Sequence, residues 1–216
     1  MRIGVLGTGM VGQAIATKLV ALGHEVRMGS RSADNENAAK WTGEAGPDAS
    51  HGTFADAAGF GELLFNCTAG LASLDALRAA GAENLGAKVV VDVSNALDFS
   101  DGRPPKVGLG NADSIGEQLQ REFPDARVVK TLNTVNCEVM VDPSKVPGAH
   151  DMFVCGNDES AKADVSALLE SFGWPASHIL DLGDITSARA VEMYVALWLC
   201  LRGVAETSYF NIHLVH

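Results

Sequence analysis

Residues 7–12 read Gly-Thr-Gly-Met-Val-Gly and follow at once on the apolar run 2–6, after which Ala14, Ile15, Leu19 and Val20 fall on one face of a helical pattern. This GxGxxG turn, in its strand–turn–helix setting, constrains the chain more than any other feature. Gly7 permits the tight turn, Gly9 lets backbone approach a pyrophosphate, and Gly12 lets the helix pack closely on the strand. The free N–H groups of the helix start attract the anion. Gly7, Thr8, Gly9, Met10, Val11 and Gly12 are therefore expected to bind a dinucleotide.

Short apolar runs recur at 25–28, 50–53, 63–67, 88–93, 127–132, 152–155 and 178–182, with helical patterns at 10–22, 34–45, 71–80, 114–122 and 159–172. The alternation predicts an α/β fold: a Rossmann-type, doubly wound, mostly parallel sheet with helices on both faces. The length of 216 residues fits one such domain, 1–183, followed by a small C-terminal helical region, 184–216. Residues 98–110 carry Gly102, Pro104, Pro105, Gly108 and Gly110 without periodicity. They are expected to form a structureless, mobile loop and one lip of the substrate pocket. From Ile185 one long helix is expected, apolar nearly all round between Val191 and Leu201 and so buried on most sides, partly against a second subunit of a homodimer. On it, Arg189 and Glu192 lie three apart and read as an intrahelical ion pair. Tyr194, Trp198 and Leu201 read as core or dimer interface rather than as a ring-stacking platform.

The end of the second strand selects the dinucleotide. An NAD site places a carboxylate there, about 20 residues past the glycines. Here the turn holds Ser30, Arg31 and Ser32 after Gly29 and no carboxylate. Two hydroxyls and a guanidinium suit a 2′-phosphate, so NADP(H) is expected over NAD(H). In an open parallel sheet the ligand lies beyond the carboxyl ends of the strands. That position is held by Cys67, Thr68 and Ala69 after the fourth strand, Ser94 and Asn95 after the fifth, and Asn133 and Thr134 after the sixth. These small side chains are expected to hold the nicotinamide and riboses, although Asn and Thr also serve as ordinary turn formers.

Composition closes off other classes. Sixteen Lys+Arg against 27 Asp+Glu leave a net charge of −11, which repels a polyphosphate backbone, so nucleic acid is not an expected partner. The longest apolar run, 193–201, falls well short of the roughly 20 residues that cross a bilayer, so no membrane association is expected. The first residues lack a signal-peptide pattern, and the four cysteines have neither metal nor disulfide spacing; a cytoplasmic protein with reduced thiols is expected. None of the six histidines has a short metal-ligand spacing, so they read as surface or structural residues and no metal is expected.

Taken together with the motifs GTGMVG and GSRS, the segments VVDVSNALD, KTLNTVN, FVCGNDESAK and DLGDITSARAVE extend a resemblance over essentially the whole chain. It resembles the NADPH-dependent coenzyme F420 (deazaflavin) reductases, the coenzyme F420-dependent NADP oxidoreductase family, and is similar to the oxidoreductase domain of the six-transmembrane metalloreductases. The resemblance implies a Rossmann domain, a small helical C-terminal region, and hydride transfer between NADPH and a flat tricyclic acceptor, a deazaflavin or a flavin. The loops Cys67-Thr68-Ala69-Gly70 and Ser94-Asn95-Ala96 are closer to the metalloreductase domain than to the proline- and aliphatic-bearing loops of the deazaflavin reductases. A related β-hydroxyacid dehydrogenase would use a lysine or another acid/base on its C-terminal helices, and 184–216 contains no lysine. No dedicated catalytic acid or base is identified; hydride transfer to a flavin-type acceptor needs none, because the cofactors carry the chemistry. Two further readings stand beside this one: a non-catalytic NADP(H)-binding regulator, and a small imine or carbonyl reductase, which the missing large helical substrate domain disfavours.

Overall fold

A computed structural model of the chain describes residues 1–102 and 105–215. The chain runs β1 (Arg2–Leu6), α1 (Met10–Ala21), β2 (Glu25–Ser30), α2 (Glu36–Ala45), β3 (Ala49–Thr53), α3 (Phe54–Phe60), β4 (Leu63–Asn66) and α4 (Ser73–Ala80). There follow α5 (Ala82–Leu85), β5 (Val89–Asp92), β6 (Leu97–Asp98), β7 (Lys106–Val107), α6 (Ile115–Glu122), β8 (Arg127–Thr131) and α7 (Cys137–Val141). The last elements are β9 (Met152–Gly156), α8 (Glu159–Phe172), β10 (Ile179–Asp181) and α9 (Ala188–Ala205).

Eight strands form one sheet in the order β10-β9-β8-β5-β4-β1-β2-β3. Every pairing is parallel except β8 with β9. The strand order reverses between β1 and β4, which makes their carboxyl ends the switch point of a doubly wound Rossmann-type sheet. Alternate residues feed two cores. Ile3, Val5, Val89, Val91 and Val129 face α1, α2 and α8 through Ile15, Leu19, Trp41 and Val165. Leu64, Val90 and Val128 face α3 to α6 through Phe54, Leu77, Leu85 and Leu119. Helix α3 lies close on β1 and β2 because both present glycine to it. A Cβ on Gly4 would come 2.4 Å from the Ala57 carbonyl oxygen, and one on Gly29 2.8 Å from the Ala57 Cβ.

Three short helices, α3, α5 and α7, were not expected from periodicity. Each is too short to display a repeat, and α3 is instead written locally, as a Thr53/Asp56 capping box. The segment 98–110 is not structureless: β6 and β7 form an antiparallel hairpin, Leu97 opposite Val107 and Asp98 opposite Lys106. Pro104 lies outside the described residues. The long C-terminal helix is present, but its apolar circumference is not buried within the chain. Val191 and Val195 are buried, while Met193, Leu197 and Val204 are exposed by 41%, 54% and 83%.

Arg189 and Glu192 do not pair with each other. Arg189 instead binds the Glu117 carboxylate, Nε to Oε2 at 2.8 Å. Glu192 accepts the backbone N–H groups of Ile115 and Gly116 at 3.0 and 3.2 Å. Two donors at the start of α6 thus find a carboxylate on another helix, and the cross-element partners win because α9 docks its first turns on α6. Among the described residues no helix is long and apolar enough to cross a membrane.

Candidate functional site

The glycine turn has the geometry its spacing implies. Gly7 has φ +120°, and its N–H donates to the Gly29 carbonyl at 2.9 Å, tying the turn to β2. A Cβ on Gly12 would come 2.1 Å from the Gly7 carbonyl oxygen, so α1 sits where only glycine permits. A Cβ on Gly9 would meet nothing within 4 Å, since this residue faces open space. Gly9 is the N-cap of α1; no side chain caps the first turn and no acidic residue lies in it. The positive end of the helix is therefore free for an anion.

Two adjoining cavities meet at this turn and share Gly9, Cys67, Thr68 and Ala69 in their walls. One, of about 720 Å³, extends from Gly7 and Thr8 to Ser30, Arg31 and Ser32, with Phe54 and Ala76 on its floor. The other, of about 570 Å³, runs past Met10 and Val11 to Ser94, Asn95, Asn133 and Thr134. Every residue expected to bind the dinucleotide lines this cleft except Gly12, which is pressed against Gly7. Phe99, within the 98–110 segment expected as a lip of the pocket, lines the second cavity; sequence reasoning missed Asn35, Phe54 and Asp75 at one end and Leu97, Val195 and Trp198 at the other. Trp198, expected in the core or a dimer interface, lines the second cavity and stacks on Phe210, with centroids 5.4 Å apart and planes at 20°. Its helical spacing could not show that the C-terminal segment folds back beside it.

At the tip of β2 the Ser30 hydroxyl donates to the Ser32 carbonyl at 2.5 Å. Arg31 is exposed and has no ion pair or hydrogen bond among the described residues. The tip is not free of carboxylate, however, because the chain turns back so that Asp34 accepts the Ser32 hydroxyl. That bond, with a backbone N–H, holds the exposed Asp34 carboxyl below its ordinary range. Both serine hydroxyls are engaged within the turn, so the Arg31 guanidinium is the side-chain group left to meet a ligand.

In the second cavity the loops after β5 and β8 brace one another. Asn95 Nδ2 donates to the Asn133 carbonyl at 2.8 Å, and Asn133 Nδ2 donates both to Asn95 Oδ1 and to the Val191 carbonyl, each at 3.0 Å. These two amides hold the loops and α9 together. The Thr68 hydroxyl is likewise engaged, donating to Asn66 Oδ1 at 2.7 Å. By contrast, the Ser94 and Thr134 hydroxyls are buried without any partner among the described residues. Leu132, buried between β8 and these loops, holds φ at +63°, a left-handed conformation that a leucine adopts only under constraint. The remaining wall is glycine, apolar side chains, Asn136 and two thiols, Cys67 and Cys137. Burial pushes both thiols up, with the Asp92 and Glu138 carboxylates adding to it.

Behind the cleft lies a buried polar row that the sequence reading did not single out. Asn66, Asp92 and Lys130 are cross-strand partners on β4, β5 and β8, on the face that meets α6 and α9. Asn66 Nδ2 donates to Asp92 Oδ1 at 2.8 Å, and Lys130 Nζ lies 2.9 Å from Asp92 Oδ2 and 2.8 Å from Glu192 Oε1. Lys130 also donates to the Ser94 carbonyl at 2.5 Å. Burial opposes its charge, but the Asp92 and Glu192 carboxylates outweigh that cost and raise its pKa. Burial raises that of Glu192, against the pull of Lys130. The available signal was a polar residue near the end of each of three apolar runs.

Sheet order, switch point and glycine turn define a Rossmann-type protein of the dinucleotide-binding class. The chain belongs to the NADP oxidoreductase, coenzyme F420-dependent family, whose sequence pattern matches residues 2–96. A crystal structure described as a candidate F420-dependent NADP-reductase from Arthrobacter sp. FB24 is 47% identical, with a TM-score of 0.93 over 99% of both chains. Metalloreductase STEAP3 of Rattus norvegicus is 30% identical over 88% of this chain and 36% of its own length. The F420-dependent NADP reductase of Methanocaldococcus jannaschii is 29% identical over 55% of this chain and 52% of its own. The chain thus spans between about a third and a half of the length of the curated relatives it matches.

Proposed function

We propose that the chain binds NADP(H) along the cleft and transfers a hydride between it and a deazaflavin, coenzyme F420, or a flavin. The bound dinucleotide would supply the hydride; the chain's own groups bind and orient. The open N-terminus of α1, beside Gly9, takes the pyrophosphate. Arg31 meets the 2′-phosphate, on a turn that Ser30 and Ser32 hold in shape. The Ser94 and Thr134 hydroxyls, orphaned within the protein, gain partners from the nicotinamide amide or ribose, which removes the cost of leaving them unsatisfied. Leu97, Phe99, Val195 and Trp198 form an apolar wall for a flat ring and exclude water beside it.

The composition of that second cavity carries the reading. Among the described residues its wall holds no Lys, His, Asp, Glu or Tyr, and burial keeps its two thiols protonated. Reducing a carbonyl or imine would call on a positioned proton donor. Hydride exchange between two cofactor rings calls for orientation alone. The test is NADPH oxidation with coenzyme F420, FMN, FAD and a simple cyclic imine in parallel. Turnover with F420 or a flavin is expected; turnover with the imine alone would overturn the reading. Tight NADPH binding without turnover on any acceptor would identify an NADP(H)-binding regulator instead.

The same reading makes the protein a cytoplasmic homodimer, with residues 184–216 packing on the Rossmann body and on a second copy. Four free cysteines support the reducing setting. The exposed Met193, Leu197, Cys200 and Val204, spaced four, three and four residues apart along α9, support the pairing.

A further inference from the structure

Beyond α9 the chain turns back at Glu206, which adopts φ +54°. Residues 207–215 then run as a strap along the outside of the cleft. The Ser208 hydroxyl accepts Asn136 Nδ2 at 3.2 Å, and Phe210 stacks on Trp198. The strap ends at Asp151, the residue before β9. The Asp151 N–H donates to the Ile212 carbonyl at 2.8 Å, and the Leu214 N–H donates to Asp151 Oδ2 at 2.6 Å. Because β9 is antiparallel to β8, its start lies at the carboxyl end of β8, the end at which the cleft opens.

Two histidines converge on the same carboxylate. His178 precedes β10, and the β9–β10 register sets it beside Asp151. His178 Nδ1 lies 2.8 Å from Asp151 Oδ1, and His213 Nδ1, on the strap, lies 3.1 Å from both oxygens. The imidazole centroids are 5.3 Å apart, and the three donor atoms all fall within 4.8 Å of one another. Donors of a tetrahedral zinc ion, at bond lengths near 2.1 Å, stand about 3.4 Å from each other. The carboxylate–imidazole distances therefore need to open by about 0.3–0.6 Å, and the two imidazole nitrogens, which lie within 4.8 Å, to settle at that same spacing. Asp151 is buried and its carboxylate is held by the Leu214 N–H, whereas His213 is partly exposed and can adjust. Two imidazole nitrogens and one carboxylate oxygen suit Zn²⁺ or Ni²⁺ and do not suit the oxygen-seeking Mg²⁺ or Ca²⁺.

We propose that Asp151, His178 and His213 form a site for a divalent transition-metal ion of the zinc type, which staples the C-terminal strap to the β9–β10 edge. The ion takes three protein donors and one water. It ties residues 207–215, and through Phe210 the Trp198 wall, to the sheet. Its three ligands lie outside the dinucleotide cleft, and the site stands or falls apart from the hydride acceptor.

The test titrates chelator-treated full-length protein with zinc chloride by calorimetry, with nickel and magnesium chlorides in parallel. One Zn²⁺ per chain is expected, and no saturable Mg²⁺ binding. His178→Gln and His213→Gln should each weaken Zn²⁺ binding by at least roughly tenfold, the lower end of what outer-shell changes alone do to metal sites. Zn²⁺ should also slow amide exchange in 207–215 in the wild type and leave it unchanged in His213→Gln, a variant at a partly exposed side chain whose folding is checked by circular dichroism. Absence of Zn²⁺ binding, or binding that survives both histidine substitutions, as it would if free thiols held the ion, overturns the proposal. Bound Zn²⁺ that leaves strap exchange unchanged overturns the stapling role.

Discussion

Arg31 and Gly9 divide the recognition of the dinucleotide between charge and space, and one titration separates them. Arg31 stands free at the tip of β2, so Arg31→Ala removes a charge-assisted bond worth about 1.5–3 kcal/mol, or one to two decades of NADPH affinity. NADH, which lacks the phosphate, should bind both forms alike; equal losses for the two cofactors would show that the tip does not read the phosphate. Gly9→Val should abolish binding of both cofactors in a protein that still folds, because a Cβ there meets no protein atom and enters the pyrophosphate space. These roles were legible in sequence because they depend on fixed spacing from one strand. Asp34 was not: its contact with Ser32 arises from a turn whose path spacing alone does not give.

Among the elements, α9 is coupled to the sheet by the buried Lys130 and Glu192. Lys130→Met leaves the Asp92 and Glu192 carboxylates buried without their cation, a loss of about 3–5 kcal/mol, read as a lower urea midpoint. Glu192→Gln should cost less, since its amide oxygen keeps one of the two backbone donors, Ile115 or Gly116, and Lys130 keeps Asp92. The pH dependence has a definite sign. Burial raises the Glu192 pKa, so between the unfolded and folded values the native state binds more protons, and stability falls as pH rises through that window. Without Lys130 that effect is stronger, so the deficit of Lys130→Met should shrink as pH is lowered toward the carboxylate range. A deficit that stays constant with pH would mean that lost packing, not charge, sets it. The strands holding these residues were read from their apolar runs. The row itself needed sheet order, because Asn66, Asp92 and Lys130 become neighbours only through register.

At the scale of the molecule, the exposed apolar line along α9 calls for a partner. Leu197 lies at its middle and is 54% exposed. Sedimentation velocity should show a dimer for the wild type and a monomer for Leu197→Glu, with unchanged circular dichroism. A wild-type monomer at micromolar concentration would refute the homodimer. The net charge of −11 also predicts that pairing strengthens with added salt, since screening weakens the repulsion between two acidic copies.

By itself the amino-acid sequence determined the alternation of strands and helices, the glycine turn and the loops that end at the cleft. Each is encoded by residues near one another along the chain, through side-chain period and backbone sterics. Only the tertiary structure decided the partners of Arg189 and Glu192, the hairpin within 98–110, the place of Trp198 in the cavity wall and the meeting of His178 and His213 at Asp151. Apart from the hairpin, those contacts join positions tens of residues apart. Their energy depends on sheet order, on register and on the direction in which the last helix releases the chain, and no local pattern records these.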